Sequence, residues 1–153
     1  MAKQAKRQLA GSGEALPAGV VGEEVTFTFT DIADSSGNTV WIKATPQTLG
    51  AGVWMLKCTG QACAVNGSFA AFTFLGIAVD SETTPTNDAT NGGYSIPNST
   101  FTTGLVASSW FAQKRVVSNG STTIAPAVMG NIKSGSTPFW NAKSLIIKAV
   151  RIA

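Results

Sequence analysis

The side chains able to do chemistry are few. There is no histidine, so no Ser-His-Asp or Cys-His arrangement can be assembled and no metal site can use imidazole. The two cysteines are Cys58 and Cys63. In a continuous strand, at about 3.3 Å per residue, five positions carry them beyond disulfide reach. They could pair only if Thr59-Gly60-Gln61-Ala62 formed a hairpin loop. The expectation is two free thiols, and C-x4-C matches no zinc spacing.

Carboxylates number eight and fall mostly in turn-like segments. Asp80 and Glu82 read either as an acid–base pair or as a solvated rim. Asp31 and Asp34 read either as calcium ligands or as part of an ordinary turn. The simpler alternative is adopted for both. Gly11-Ser12-Gly13 opens no helix, so it is a linker and not a phosphate cradle. Trp41, Trp54, Trp110 and Trp140 could form a sugar-stacking platform or fill a core. Each lies in an apolar strand, which favours the core. Trp110 and Trp140 lie near predicted strand ends and are the candidates for a subunit contact, with Phe111 and Phe139 facing the opposite way. The chain therefore reads as non-enzymatic, with no catalytic, cofactor or metal residue to name.

Residues 1–20 read as an N-terminal arm. Gly11-Ser12-Gly13 ends any helix there, and Leu16-Pro17-Ala18-Gly19 leads into the first strand. Residues 21–153 form one domain of short strands divided by turn chemistry. Val25-Thr26-Phe27-Thr28-Phe29-Thr30 alternates strictly, so Val25, Phe27 and Phe29 share one face. Thr39–Ala44 is the next strand. Val53–Lys57 follows Gly50-Ala51-Gly52 and could run on towards Val65. Asn66-Gly67 is a strong turn pair. Ser68–Asp80 is apolar enough to be buried on both faces. A polar loop spans Ser81–Gly93, and Pro97 limits Tyr94–Thr103 to an edge. Leu105–Val117, Thr122–Met129 and Phe139–Ile152 complete about eight strands. The fold class is all-β: a jelly-roll-like antiparallel β-sandwich with an extended N-terminal arm.

Charged residues make up only 12% of the chain and the net charge is +3, so Ser, Thr, Asn, Gln and Gly must supply most of the polar surface. Such a surface suits packing against other subunits. No acidic residue follows Asp88, yet six Lys and Arg do. They are either scattered solvated charges or a positive face that meets an acidic neighbour. The spread of the cations argues against a nucleic-acid partner. No apolar run reaches the roughly 18 residues of a membrane span. No apolar run follows Lys3, Lys6 and Arg7 either, so the N-terminus is not a secretory signal.

Three segments carry a family resemblance. Leu16-Pro17-Ala18-Gly19-Val20-Val21-Gly22-Glu23, Leu49-Gly50-Ala51-Gly52-Val53-Trp54-Met55-Leu56 and Ile147-Lys148-Ala149-Val150-Arg151-Ile152 resemble, in order and spacing, the small β domains of tailed-bacteriophage head-decoration and tail-fibre proteins. The resemblance spans residues 16–153, with Ser81–Ser109 departing from it. It implies a jelly-roll-like fold, oligomeric and without catalysis.

Two functions follow as expectations. The first is a capsid decoration or cement protein on the outer surface of a phage head. It would bind between major capsid protein subunits as a homo-oligomer, trimer or dimer. Its arm residues Lys3, Lys6, Arg7, Leu9 and Leu16 would lie along a neighbour. A chain of one arm and one domain fits a stand-alone accessory subunit. The alternative is a tail fibre or adhesin whose loops, Ser81–Gly93 and Ser118–Ser121, meet a host surface glycan. Neither involves a cofactor, nucleic acid or a membrane.

Overall fold

Val25, Phe27 and Phe29 alternate with threonines, and the alternation does what a half-buried strand requires. In β1 (Glu24–Thr28) Val25 and Phe27 pack against the core while Glu24, Thr26 and Thr28 are exposed, and Phe29 just beyond is buried. The computed structural model describes residues 18–34, 41–64, 72–86, 94–95, 107–131 and 140–153. For residues 34, 62–64, 72–74, 94–95, 107–110, 130–131 and 140–141 it describes the backbone alone.

The further strands are β2 (Ile32–Asp34), β3 (Trp41–Lys43), β4 (Gln47–Thr48), β5 (Gly52–Ala64), β6 (Phe72–Val79), β7 (Tyr94–Ser95), β8 (Ala107–Ser118), β9 (Thr123–Asn131) and β10 (Trp140–Arg151). They form two antiparallel sheets. The first has the order β1-β10-β5-β8, with β2 also on β10; the second has β3-β9-β6-β7, with β4 also on β9. β1 and β2 line the same edge of β10, at residues 146–150 and 140–142. β3 and β4 share one edge of β9 in the same way. With each interrupted pair counted once, the ten strands of the described residues become eight, ordered 1-8-3-6 and 2-7-4-5. That winding is a jelly roll, as expected from the sequence.

The core lies between the sheets. β5 contributes Trp54, Leu56 and Cys58, and β10 contributes Leu145, Ile147 and Ala149. Leu75 and Ile77 of β6 and Ile124 and Val128 of β9 face them. Part of β6 is buried on both faces, as its composition suggested: over residues 75–78, Gly76 and Ala78 are as enclosed as Leu75 and Ile77. Ala125 and Ala127 of β9 are buried beside them. Lys43 shares a row with Ala127, and its Nζ donates to the carbonyls of Asp80 and Glu82, both at 3.1 Å. Its aliphatic stem thus runs over this small-residue face.

β5 runs unbroken through Thr59-Gly60-Gln61-Ala62, so that segment is strand and not a loop. Gly60 has a packing reason. The register of β10 against β5 shifts between Lys143 and Ile146, where Ser144 takes φ 53°. This bulge directs Leu145 inward, and a Cβ on Gly60 would stand 2.8 Å from Leu145 Cδ2. Asp31 serves the same bulge, accepting a hydrogen bond from the Ser144 N–H at 3.3 Å. Its role here is backbone support at an irregular point.

Candidate interaction face

On the first sheet the inward row of each strand fills the core, so the outward row must meet solvent or a partner. Registration across the sheet sets Glu24, Val150, Met55 and Arg115 in one outward row. Thr26, Lys148, Lys57 and Gln113 form the next, and Thr28, Ile146, Thr59 and Phe111 the third. Phe111 is 54% exposed and Val117 64%, and Met55 is exposed too. Val20, Val21 and Ile152 add exposed apolar surface where the chain enters and leaves this sheet. Every large apolar side chain exposed among the described residues belongs to this sheet or its two chain ends. Lys57 Nζ lies 5.4 Å from the Phe111 ring centre, within cation–π range. Beside them is a shallow recess of about 380 Å³ lined by Lys57, Thr59, Gly60, Gln61, Phe111, Ser144 and Ile146.

The six cations that follow Asp88 are sorted by this fold. Arg115, Lys143 and Lys148 are exposed on the first sheet, where Lys57 joins them. Lys133 lies outside the described residues. The other two are internal. Lys114 points inward from β8 and is buried; its Nζ donates to Glu82 Oε2 at 3.0 Å and to the Ile77 carbonyl at 3.3 Å. Glu82 also accepts from the Val79 N–H at 3.0 Å and from Thr86 Oγ1 at 2.7 Å. Burial alone would push this carboxyl up. The hydrogen bonds from Thr86, Lys114 and Val79, with the Lys114 charge, outweigh burial and hold it below its ordinary value. The arrangement is a clamp between sheets, with its carboxylate committed to holding Lys114.

Arg151 makes the second internal pair. Its Nε donates to Glu23 Oε2 at 3.0 Å, and its guanidinium stacks 4.7 Å from the Trp54 ring. Glu23 Oε2 also accepts from the Gly19 N–H at 2.6 Å, while Trp54 Nε1 donates to the Gly50 carbonyl at 2.8 Å. Gly52 has φ +136°, and a Cβ there would come within 2.3 Å of Arg151 Nη1. The three sequence segments that carry the family resemblance thus converge on one clasp, through Glu23, Gly52, Trp54 and Arg151.

Lys3, Lys6, Arg7, Leu9 and Leu16 lie outside the described residues. Trp110 and Trp140 are placed by backbone only: Trp110 opposite Gly60, and Trp140 opposite Ala64 and Asp34. Trp54 is a core residue, and Trp41 is half-buried in β3. Cys58 is a free thiol facing the core, and burial pushes its pKa up to about 12. Cys63 lies on the same continuous strand, with only its backbone described. Asp80, at φ 51°, accepts from the Thr123 N–H at 2.8 Å and so shapes the end of β6. Asp34 closes β2, and the turn expected after it lies outside the described residues. No group of three or more His, Cys, Asp or Glu able to hold a metal occurs among the described residues. Sequence reasoning missed Lys57, Met55 and Phe111 as a surface. The available signal was the alternation of Met55-Leu56-Lys57-Cys58 and of Phe111-Ala112-Gln113-Lys114.

No protein-family model and no curated protein matches the chain. Among solved structures, a chain from the structure of infectious bursal disease virus, Gx strain, is similar at 12% identity and TM-score 0.43. The similarity covers 85% of the present chain and 32% of that one. The present chain thus spans about a third of the length of its viral neighbour.

Proposed function

We propose that the chain is a structural subunit of a bacteriophage virion. It is a decoration or cement protein that sits on the outer surface of the head, bridges major capsid protein subunits and works as a homo-oligomer. The outer face of the first sheet is the observation that carries this reading. An exposed apolar surface suits a protein contact, and the cations interleaved with it suit a partner of complementary charge. Two further points support it. Jelly rolls recur as shell-building domains in viruses, and the segments that resemble phage decoration and fibre domains form the clasp holding the two ends of the domain together. The cationic arm, with Lys3, Lys6 and Arg7, adds a second attachment along a neighbouring subunit.

The test is mechanical. Heads lacking this chain should lose their DNA at a lower temperature than complete heads, and purified protein added back should restore the difference. Equal stability with and without the chain would rule out a cementing role. Deleting residues 1–16 should weaken attachment and leave the melting of the isolated domain unchanged.

A further inference from the structure

We infer that the outer face of the first sheet docks an acidic, partly apolar strip of a partner protein, recognised by the side-by-side lysines Lys57 and Lys148 and by the recess beside Phe111. The inference rests on the reading of this face as the particle contact and names the chemistry that the contact requires. Lys148 stands directly opposite Lys57 on the adjacent strand. Like charges so placed destabilise a sheet, so the stability of this domain does not account for the pair. Arg115 lies opposite Met55, two residues from Lys57 along the neighbouring row. Two described carboxylates lie on or beside this face against the cations Lys57, Arg115, Lys143 and Lys148: Asp31, which accepts from the Ser144 N–H at the rim of the recess, and Glu24. Glu24 sits on the edge strand opposite Val150, diagonal to Lys148. The field of the face is therefore positive.

A second copy docked face to face would set these cations against their own counterparts. A phosphate backbone would leave Met55, Ile146 and Phe111 uncovered. An extended acidic segment answers both problems. The side chains that such a segment turns towards the sheet recur at every second residue, about 7 Å apart, which is also the spacing of outward residues along a strand; a carboxylate facing Lys57 can therefore be followed two residues on by an apolar group that faces Thr59 and enters the recess.

The experiment adds purified variants to heads lacking the chain and measures occupancy against concentration. Lys57→Glu/Lys148→Glu should bind at least about tenfold more weakly than wild type, and Lys57→Gln/Lys148→Gln should weaken binding in the same direction. Lys57→Glu alone places opposite charges across the strands. It should therefore bind more weakly while melting no lower than wild type, a combination that a purely structural lysine would not give. Wild-type occupancy by the folded double variants would overturn the inference and leave the particle reading standing. Failure of the wild type itself to bind would remove both. Loss of affinity for a mixed-sequence DNA duplex, with particle binding unchanged, would overturn it in favour of a nucleic-acid face.

Discussion

Arg151 is held from three sides: by the Glu23 carboxylate, by the Trp54 ring and by the space that Gly52 leaves. Both charges of the pair are largely shielded, with side chains only 15% and 13% exposed. Removing one partner strands the other with little water. Arg151→Ala should therefore cost about 2–4 kcal/mol in urea unfolding. Gly52→Ala should cost about 1–3 kcal/mol through its left-handed backbone, with Arg151 displaced as well. Glu82 gives a pH signature. Its carboxyl titrates lower in the folded chain than in the unfolded one, so its contribution is present above the ordinary carboxylate range and is lost as pH falls through the folded-state value. The stability gap between wild type and Glu82→Gln should be widest near neutral pH and close on acidification. A gap independent of pH would show that the Lys114–Glu82 pair is not the source. Cys58 should resist thiol reagents until the chain unfolds, because its thiolate is suppressed and the sulfur is enclosed. Peptide mapping after mild labelling checks this.

The long strands β5, β8 and β10 carry both the core and the candidate face. β10 lies between β1 and β5, and its inward Ile147 is fully buried. Ile147→Ala should lose about 2–5 kcal/mol, measured by chemical denaturation. Lys148→Ala next to it should change stability little, and should raise it if relief of the Lys57 repulsion outweighs lost packing. At this scale the sequence was legible wherever one face of a strand is wet and the other dry. Val25-Thr26-Phe27-Thr28 needed only its own alternation. Where a residue's identity is set from far away, it was not legible. Gly60 looks like a turn residue until Leu145, brought over by a bulge on another strand, is seen to need the space. The Lys114–Glu82 clamp joins positions 32 apart in sequence, and no local pattern announces it. Alternation marks Met55, Lys57 and Phe111 as outward, but which outward residues share a row was hidden for the same reason. Lys57, Lys148 and Arg115 are separated in sequence and become one surface only through registration.

Across the whole molecule, the jelly-roll order makes the first and last strands of the described residues interdependent, since β1 and β10 pair along an edge and Arg151 closes on Glu23. Such non-local pairing is of the kind that slows folding, and truncation that removes Arg151 should lower the melting temperature of the domain. The jelly-roll order also sets all the exposed large apolar groups of the described residues on one sheet and its ends, which is what a protein that seats on a larger assembly needs. On the proposed reading the domain sits on the outer surface of a phage head. Immunogold labelling of purified particles with antibody against the chain tests it most directly. Label spread over the head surface is the result predicted, and label confined to the tail or absent from particles would contradict it.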